Sequence, residues 1–394
     1  MSLPQSNKQI ILRKKEERRI LSGHPWVFSN EVRDVKGSPA IGDVVEVCTD
    51  SGGSLGLGFY NPHSLIAVRL LTRTKEEIDF SFFQTRISHA DTLRKSLYQE
   101  SETYRVIHGE SDFLPGLVVD RFNDHVVVQT FSYGMDQRLS LICDALESLY
   151  HPTSIVERNE SPLRLLENLP QKKSVLRGTP ATTIITEHGV RYAVDVLKGQ
   201  KTGFFLDQRE NRFLVRRYCR NAHVLDCFCN DGGFALNAAS AGSSSVLGID
   251  ISDEAIHRAR ENAALNSLTA ATFEQGDVFE KLTDLQSPGD PIQVIVLDPP
   301  SFTKSRKNVQ SAKKGYRDLH VAAFKLLGHG GILLSSSCSH HIEPDVFLAI
   351  IDDASRRTGK TVQLLDWRGA APDHPTLPSV PETHYLKFAV VRVV

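Results

Sequence analysis

The chain has 394 residues, of which 40% are hydrophobic and 24% charged, and its formal net charge is -1. This composition is typical of a globular protein with two or three domains. It excludes binding to nucleic acid through an overall positive charge, so any basic surface must be local. No apolar run reaches the roughly 18 residues of a membrane span. Residues 1–8 also lack the apolar core of a signal peptide.

Six cysteines are scattered along the chain without the regular spacing of a disulfide framework. Cys227 and Cys229 are separated by one residue, and no second pair follows at the spacing of a zinc site. No metal is therefore predicted. Reduced thiols are typical of the cytoplasm. We expect a cytoplasmic enzyme without a membrane segment.

Residues 1–75 have the pattern of a small β domain. Residues 41–47 and 65–71 alternate between apolar and polar side chains, and a glycine-rich turn lies at 51–54. This pattern predicts a small β-barrel. The segment 13–19 carries five basic and two acidic side chains. Its charge fits either contact with RNA or a solvated helix or strand edge.

Residues 76–189 mix helical and strand patterns, so we expect a central α/β domain. Apolar periodicity predicts helices over 78–97 and 136–150. Strand pairs joined by hairpin turns are predicted over 117–130 and 184–195. Nothing in this region indicates chemistry.

From residue 190 onward, predicted strands and helices alternate strictly. The strands are predicted at 223–227, 245–250, 271–275, 293–298 and 330–336, with helices such as 233–241 and 253–265 between them. Repeated βα units form a parallel, doubly wound sheet with right-handed crossovers. The last two predicted strands, 361–367 and 384–393, are joined by a proline-rich loop, which predicts an antiparallel pair at the sheet edge.

Aspartates stand at four successive strand ends, at Asp226, Asp250, Asp277 and Asp298. In an open parallel sheet, ligands bind outside these carboxyl ends. A glycine loop at 230–233 follows the first strand, where glycine lets the backbone approach a ligand. The loop lacks the G-x-G-x-x-G spacing of a dinucleotide site. Each acid alone fits a strand-end cap, but the four together indicate a nucleoside site, with ribose at Asp250 and adenine at Asp277.

These motifs resemble those of class I S-adenosylmethionine-dependent methyltransferases. Residues 201–209, the Asp-Pro-Pro-x-Phe motif at 298–302 and the Ser-Cys-Ser motif around Cys338 narrow the resemblance to the RlmI (YccW) family of 23S ribosomal RNA cytosine-C5 methyltransferases. Residues 23–28 (GHPWVF) resemble the start of that family's PUA domain. The resemblance implies three domains, namely a PUA-like RNA-binding domain over 1–75, a central α/β domain over 76–189 and a class I (Rossmann-like) methyltransferase domain over 190–394.

The resemblance also implies a site for S-adenosylmethionine. The family's cofactor-binding positions fall on Phe205, Asp207, Arg209, Asn230, Asp231, Gly232, Asp250 and Asp277. The first three would close over the methionyl carboxylate and amine, the next three would lie at the methionine end, and the last two would bind ribose and adenine. Apart from the resemblance, residues 201–209 also fit a turn and a helix start capped by Asp207.

Cys338 and Asp298 follow neighbouring strands of the predicted sheet, so they would meet in one crevice. Cytosine C5 is a poor nucleophile because the ring is aromatic. Addition of a thiolate at C6 makes C5 enamine-like, and C5 can then attack an electrophilic methyl group. Cys338 is therefore the candidate nucleophile. Asp298, protonated or sharing a proton with N3 of the ring, is its candidate partner. A small buried apolar role is the alternative for Cys338.

Other cysteine-dependent RNA methyltransferases carry a second cysteine after the proline of the Asp-x-Pro motif, where this chain has Ser301. This departure implies a mechanism with one cysteine and leaves the acceptor of the C5 proton open. His340 and His341 either favour the thiolate, take that proton, or are exposed loop residues.

The target base must be single-stranded or flipped out, because a base within a duplex cannot reach a thiol in the sheet crevice. Phe302 either stacks on that base or belongs to the core. The stretch 301–317 has no acidic residue. Its basic residues are Lys304, Arg306, Lys307, Lys313, Lys314 and Arg317. We expect a loop that binds RNA phosphates, with a solvated basic helix as the alternative.

Other functions stay open on the sequence alone. An RNA methyltransferase that acts on a guanine or adenine nitrogen would need no thiol. A non-catalytic ribosome-assembly protein that binds RNA is the second alternative, and the loop spacing disfavours a nicotinamide dehydrogenase. The expected partner is large-subunit ribosomal RNA. The chain acts either as a monomer or as a homodimer.

Overall fold

The computed structural model describes residues 8–286, 292–303 and 306–394, apart from the side chain of Arg306. The chain divides into two compact units. The first contains Met1–Ile185, Val194–Leu206 and Pro372–Thr383, and the second contains Thr186–Ala193, Asp207–Ala371 and His384–Val394. Within the described ranges, none of the helices combines the length and the apolar character needed to cross a membrane.

The N-terminal part of the first unit is a six-stranded sheet with one short helix. Its elements are β1 (Gln9–Leu12), α1 (Glu17–Leu21), β2 (Trp26–Phe28), β3 (Val32–Lys36), β4 (Val44–Cys48), β5 (Ser54–Tyr60) and β6 (Ile66–Thr72). The strand order is β2-β6-β5-β4-β1-β3. Strands β1 and β4 pair in parallel, and the other neighbours are antiparallel. Apolar side chains such as Ile10, Val45 and Val68 form the core of this sheet.

A second sheet of the first unit combines strands with helices, as the mixed pattern predicts. Its elements are α2 (Phe80–Leu97), β7 (Thr103–His108), β8 (Leu117–Phe122), β9 (His125–Thr130), α3 (Tyr133–Gln137), α4 (Leu139–Tyr150), β10 (Ser154–Asn159) and β11 (Lys172–Gly178). The order is β11-β10-β9-β8-β7. The predicted helix over 136–150 is interrupted at Arg138, where α3 ends and α4 begins. A two-stranded hairpin follows, formed by β12 (Thr182–Glu187) and β13 (Val190–Asp195).

Residues Pro372–Thr383 belong to the first unit although the strands around them in the chain belong to the second. Asp373 is fully buried in this segment. Its Oδ2 accepts a hydrogen bond from the Arg105 backbone N–H at 2.9 Å, and its carbonyl accepts one from Arg94 Nη2 at 2.8 Å. Arg94 also donates to both oxygens of Asp112. These contacts offset the cost of removing the charges from water.

The second unit is a seven-stranded sheet with helices. Its elements are α5 (Arg209–Val215), β14 (His223–Cys227), α6 (Gly233–Ser240), β15 (Ser245–Asp250), α7 (Asp253–Leu265), β16 (Ala271–Gln275), α8 (Val278–Asp284), β17 (Val294–Leu297), α9 (Val309–Leu326), β18 (Ile332–Ser337), α10 (Pro344–Arg357), β19 (Val362–Arg368) and β20 (Lys387–Val393). The order is β16-β15-β14-β17-β18-β20-β19. The first five strands are parallel, and β20 is antiparallel to both of its neighbours. This arrangement confirms the predicted Rossmann-like sheet.

The central strands of this sheet are apolar because they are buried on both faces. All four residues of β17 are buried, as expected for a parallel strand covered by helices on each side. The predicted antiparallel pair is also present, with β20 between β18 and the edge strand β19. The parallel strands therefore direct their carboxyl ends to one edge, where polar side chains follow.

Candidate active site

The two segments predicted to carry the chemistry lie next to each other. Leu297 of β17 pairs with Ser335 of β18 in parallel register. Asp298 and Ser336 come directly after this pair, and the Ser336 hydroxyl donates a short hydrogen bond to Asp298 Oδ1. Cys338 follows two residues later. The register of β17 and β18 thus brings the Asp-Pro-Pro segment to the Ser-Cys-Ser segment.

Gln208 is a contact of Asp298 that the sequence interpretation missed. Its Nε2 donates to Asp298 Oδ1 at 3.1 Å, and its Oε1 accepts from Asn211 Nδ2 at 2.7 Å. Gln208 is only 3% exposed. With Ser336, this contact fixes the orientation of the Asp298 carboxyl group. The signal in the sequence was the position of Gln208 beside Asp207 and Arg209 in the predicted cofactor segment.

Cys338 is partly exposed, whereas the other five cysteines of the chain are buried. Burial raises the pKa of the Cys143 thiol to about 11 and that of the Cys219 thiol to about 12. Burial also raises the pKa of Cys227 and of Cys229 well above the ordinary range. These thiols stay protonated at neutral pH. Cys338 therefore differs from the others in being open to a reactant.

The residues on either side of Cys338 are fixed by a buried hydroxyl network. Tyr316 of α9 accepts a hydrogen bond from Ser337 Oγ at 2.9 Å, and its hydroxyl is 3.0 Å from Ser339 Oγ. Ser301 Oγ lies 3.0 Å from the same Ser339 oxygen. The network ties β18 to α9 and to the residues after Asp-Pro-Pro. Sequence patterns did not predict it, because serines spread over 38 positions have no common spacing.

The glycine loop after β14 has an unusual backbone. Phe228 (φ 64°), Asn230 (φ 45°) and Gly232 (φ 80°) all lie in the left-handed region. Such conformations cost about 1–3 kcal/mol in side-chain-bearing residues and persist only where neighbours enforce them. A Cβ atom at Gly232 would stand 3.0 Å from Cζ of Phe273. Glycine is therefore required where the loop turns toward α6.

Asp250 at the end of β15 is held in position by this loop. Its Oδ2 accepts from the Asn230 backbone N–H at 3.0 Å, and its Oδ1 accepts from the Ser252 N–H at 2.9 Å. The carboxylate is only partly buried, and each oxygen retains a second acceptor position. Its geometry fits a diol such as ribose. The side chain of Ile251, 67% exposed, adds an apolar surface beside it that the sequence interpretation missed.

Asp231 and Asp277 have structural contacts of their own. Arg258 Nε donates to Asp231 Oδ1 at 2.6 Å. Asp277 is the N-cap of α8, and its Oδ1 accepts from the backbone N–H groups of Phe279 and Glu280 at 2.8 and 3.2 Å. The capping alternative for Asp277 is thus present in the structure. This cap occupies one oxygen of the Asp277 carboxylate.

Asp226 is fully buried at the end of β14. Its Oδ2 accepts from the Ala235 backbone N–H at 2.8 Å, which fixes the start of α6. Within the described residues, its buried Oδ1 has no hydrogen-bond partner. Burial, together with the charges of Asp298 and Asp250, raises the pKa of this carboxyl group well above its usual range.

The segment predicted to close over the methionine is divided between the two units. Asp207 of the second unit accepts a hydrogen bond from the Tyr385 hydroxyl at 2.6 Å. It is not the N-cap of α5, since that position is held by Gln208. Arg209 is 2% exposed, and its Nε lies 3.4 Å from Glu187 Oε2. Phe205 belongs to the first unit, where the Lys201 ammonium lies 4.5 Å from the ring centroid.

The basic stretch is largely helical, so the prediction of a loop over 301–317 was wrong. Lys313, Lys314 and Arg317 lie on α9. This helix forms because it buries Ala312, Tyr316, Leu319 and Ala323 at helical spacing. Lys314 is exposed, as is Lys307 just before the helix. Lys304 and the side chain of Arg306 lie outside the described residues.

Phe302 packs on Tyr316 with ring centroids 4.5 Å apart. It belongs to the periphery of the core around α9 and α10. Of the two histidines after Cys338, His340 is exposed, and its ring centroid lies 5.8 Å from that of Tyr385. Within the described parts of the chain, no group of three His, Cys, Asp or Glu side chains has the geometry to hold a metal ion.

The sheet order, the glycine loop and the carboxylate at β15 together define a class I S-adenosylmethionine-dependent methyltransferase. The model of the S-adenosylmethionine-dependent methyltransferase family matches residues 108–389, and that of a PUA-like domain matches residues 10–73. The cofactor of this chain is therefore S-adenosylmethionine. The geometry of Asp250 and the space requirement at Gly232 fit its nucleoside and methionine portions.

Relatives that match over nearly the whole chain narrow this class of methyltransferases to one family. The chain is 38% identical over 393 residues to ribosomal RNA large subunit methyltransferase I of Tolumonas auensis. The alignment covers 98% of this chain and 99% of the relative. It is 40% identical over 391 residues to the protein of that name from Aeromonas hydrophila, with 97% and 98% covered. The chain belongs to this ribosomal RNA large subunit methyltransferase I family.

A solved structure has the same fold. The crystal structure of SMU.776, a candidate methyltransferase complexed with SAH, superimposes with a TM-score of 0.85 at 20% identity. The match covers 98% of this chain and 100% of that chain. At this level of identity the likeness shows a shared architecture, which extends over the PUA-like, central and methyltransferase parts.

Proposed function

We propose that this enzyme transfers a methyl group from S-adenosylmethionine to C5 of a cytosine in large-subunit ribosomal RNA through a covalent bond between Cys338 and C6. The observation that carries the proposal is the partly exposed thiol of Cys338 at the end of β18, adjacent to the Asp298–Ser336 contact. The ribosomal RNA substrate is supported by the name of relatives that match over nearly the whole chain.

The proposed reaction assigns a task to each residue at the strand ends. S-adenosylmethionine supplies the electrophilic methyl group. The Cys338 thiolate adds to C6, which breaks the conjugation of the ring and makes C5 nucleophilic. Asp298 lies at N3 of the base and stabilises the adduct by sharing a proton with the ring. Ser336 and Gln208 hold its carboxyl group in one orientation. Methyl transfer leaves S-adenosylhomocysteine. A base then takes the C5 proton, for which His340 and His341 are the candidates; the C5–H electrons re-form the ring double bond, and those of the C6–S bond return to sulfur.

The cofactor contacts belong to the same proposal. Asp250 binds the ribose hydroxyls with the acceptor positions that Asn230 and Ser252 leave open. Asp277 accepts from the adenine amine through the oxygen that does not cap α8. The methionine end lies against Asn230, Asp231 and Gly232. Phe205, Asp207 and Arg209 close over its carboxylate and amine.

RNA binding is proposed for the basic stretch around the start of α9. Exposed Lys307 and Lys314 would contact phosphates, with Lys304, Arg306, Lys313 and Arg317 as further contributors. Arg317 also pairs with Asp318 at 3.8 Å, so its contribution to phosphate binding is the smallest. The proposed domain limits remain 1–75 for RNA binding, 76–189 for the central domain and 190–394 for the methyltransferase.

The decisive experiment compares Cys338→Ala with Cys219→Ala, which removes a buried thiol that the proposal does not use. Each variant is incubated with S-adenosylmethionine and large-subunit RNA from cells that lack the enzyme. Nucleoside mass spectrometry then identifies the product. We expect Cys338→Ala to lose turnover by about 10³-fold or more while still binding S-adenosylhomocysteine in calorimetry. Cys219→Ala should remain active.

Three outcomes would contradict the proposal. Methylation of cytosine by Cys338→Ala would exclude the covalent step. A methylated guanine or adenine as the wild-type product would favour the alternative reaction at a ring or amino nitrogen. No binding of S-adenosylhomocysteine at millimolar concentration would favour a non-catalytic assembly protein.

A further inference from the structure

Lys387 is a buried amine next to the proposed nucleophile, and the proposed reaction gives it no task. It is the first residue of β20, where it pairs with Ser337 in antiparallel register. Its side chain is only 2% exposed. Nζ donates to the carbonyl of Ser339 at 2.7 Å and to that of Tyr385 at 2.8 Å. The amine is thereby held beside the chain segment that carries Cys338.

The two carbonyl contacts restrict where the amine lies. An ammonium group has three N–H donors, and two of them point at fixed backbone oxygens on either side. Cys338 is the residue between Ser337, the strand partner of Lys387, and Ser339, its hydrogen-bond acceptor. The two side chains are near enough for the charge of Cys338 to act on the amine of Lys387.

We infer that Lys387 is the proton acceptor and counter-ion that converts the Cys338 thiol to the thiolate. In this step, the S–H bond breaks, the proton passes to the lone pair on Nζ, and the bonding electrons stay on sulfur. The thiolate then forms the bond to C6. Elimination at the end of the cycle returns the electron pair to sulfur, so the thiolate–ammonium pair is restored. This inference rests on the proposed role of Cys338.

The groups around Lys387 and Cys338 would not stabilise a thiolate without a cation. Tyr316 faces Cys338 from α9, Asp298 lies at the end of β17, and Glu343 lies just before α10. These groups are neutral or negative at neutral pH, so none of them favours a second negative charge on sulfur. His340 and Tyr385 are the neighbouring rings in the flanking loops. A fixed ammonium group supplies the opposite charge that a thiolate in a partly buried site requires.

The pKa of Lys387 agrees with this geometry. Burial lowers the pKa of its ammonium group to about 8, against the opposing influence of Cys338 and Glu343. A lysine of this kind can exchange a proton with a thiol near neutral pH, because the proton affinities of the two groups are then similar. An ordinary exposed lysine stays protonated at neutral pH, so it has no lone pair with which to accept a proton from a thiol.

Lys387→Met tests this inference, because methionine retains an unbranched apolar side chain and removes the amine. Lys360→Met is the matched control, since Lys360 also donates to two backbone carbonyls, those of Phe324 and Leu327. The measurement is the rate at which iodoacetamide alkylates Cys338 between pH 6 and pH 10, followed by peptide mass spectrometry. Cys338→Ser provides the background. Binding of S-adenosylhomocysteine verifies the fold of each variant.

We expect wild-type alkylation to reach its half-maximal rate at least about one pH unit below the ~8.5 of an ordinary thiol. Lys387→Met should move this midpoint upward by about one unit or more, so the rate at pH 7 falls about tenfold. Lys360→Met should leave it unchanged. Methyl transfer by Lys387→Met should recover as the pH rises, whereas a loss of packing would lower activity equally at every pH.

An unchanged alkylation midpoint in a Lys387→Met variant that binds S-adenosylhomocysteine would overturn the inference. If that variant does not fold, the wild-type midpoint decides, and a value at or above ~8.5 overturns it as well. Failure of the proposed function is distinguishable, since it requires methylation by Cys338→Ala. An inactive Cys338→Ala together with an unshifted midpoint removes only the role of Lys387.

Discussion

Replacing Gly248 with alanine should destabilise the methyltransferase sheet and weaken cofactor binding together. Gly248 lies in β15, and a Cβ atom there would stand 2.5 Å from Cδ1 of Phe273 and 3.1 Å from Sγ of Cys229. The Phe273 ring cannot retreat freely, because Gly232 of the glycine loop lies so close that a Cβ atom there would stand 3.0 Å from Cζ of the same ring. An added methyl group therefore pushes the ring toward the loop.

The magnitude follows from two opposing effects. Overpacking a core costs about 1–3 kcal/mol, and replacing glycine in a strand with alanine gains about 0.5–1 kcal/mol. We expect the free energy of unfolding to fall by about 1 kcal/mol, near the middle of the range of roughly 0–2.5 kcal/mol that the two effects leave. The affinity for S-adenosylhomocysteine should fall severalfold, because Gly232 and its loop are displaced.

Urea denaturation measures the first effect through Trp367 of the second unit, in a Trp26→Phe background that removes the other tryptophan. Calorimetry with S-adenosylhomocysteine measures the second. Gly328→Ala is the control, since a Cβ atom there meets nothing within 4 Å. If Gly248→Ala matched this control in both measurements, the crowding around Phe273 would not limit the loop.

Two further variants test the strand ends, and a third tests the buried histidine of α9 that contacts Ser335 of β18. Asp250→Ala should raise the Kd for S-adenosylhomocysteine at least about tenfold, because charged hydrogen bonds to ribose are lost; Asp253→Ala is the calorimetric control. The wild type should lose stability as the pH rises, because the pKa of Asp226 is higher in the folded state than in the unfolded state. Asp226→Asn should not show this loss. Urea midpoints at pH 5 and pH 8 measure it, and an equal decline in both proteins would contradict the assignment. Burial lowers the pKa of His320 from 6.5 to about 4, so the wild type should lose stability as the pH falls through that interval, by roughly 3 kcal/mol. His320→Gln should lose less over the same interval, and an identical acid transition would count against this assignment.

The strands of the second unit were predictable from the sequence because parallel strands are buried on both faces. The predicted ranges 223–227, 245–250 and 271–275 agree with β14, β15 and β16 to the residue. β14 and β15 are short, largely apolar runs that end at a polar turn, whereas β16 at the sheet edge buries only Phe273. Each of the three is followed by a helical period. The adjacency of β17 and β18 followed from the usual strand order of a doubly wound sheet.

The contacts that organise the proposed nucleophile were not predictable. Gln208 reaches Asp298 across 90 positions of the chain, and no local pattern encodes such a pairing. Lys387 begins an apolar strand, where a single lysine is usually an exposed end residue. Its burial depends on the antiparallel insertion of β20 beside β18, which places two carbonyl acceptors around the amine.

The prediction of a loop for the basic stretch 301–317 was wrong for a different reason. The absence of acidic residues over 301–317 does not indicate a loop, and Tyr316 and Leu319 have helical spacing with Ala312 and Ala323. Charge composition and backbone conformation are independent properties. The apolar period was the better guide, because burial of one face stabilises a helix whatever charges cover the other.

Because Pro372–Thr383 belongs to the first unit, a fragment that contains only the methyltransferase part of the chain loses contacts of this segment. A fragment containing only residues 190–394 would include Asp373 but not Arg94 or Arg105. Its backbone carbonyl would lose the Arg94 donor, and its carboxylate would lose the Arg105 N–H donor. Such a truncated polypeptide would keep the contact of this carboxylate with His374 Nδ1 at 2.8 Å but not the donors from the first unit. Crystallisation or ligand screening directed at the catalytic half alone should therefore begin from the intact chain.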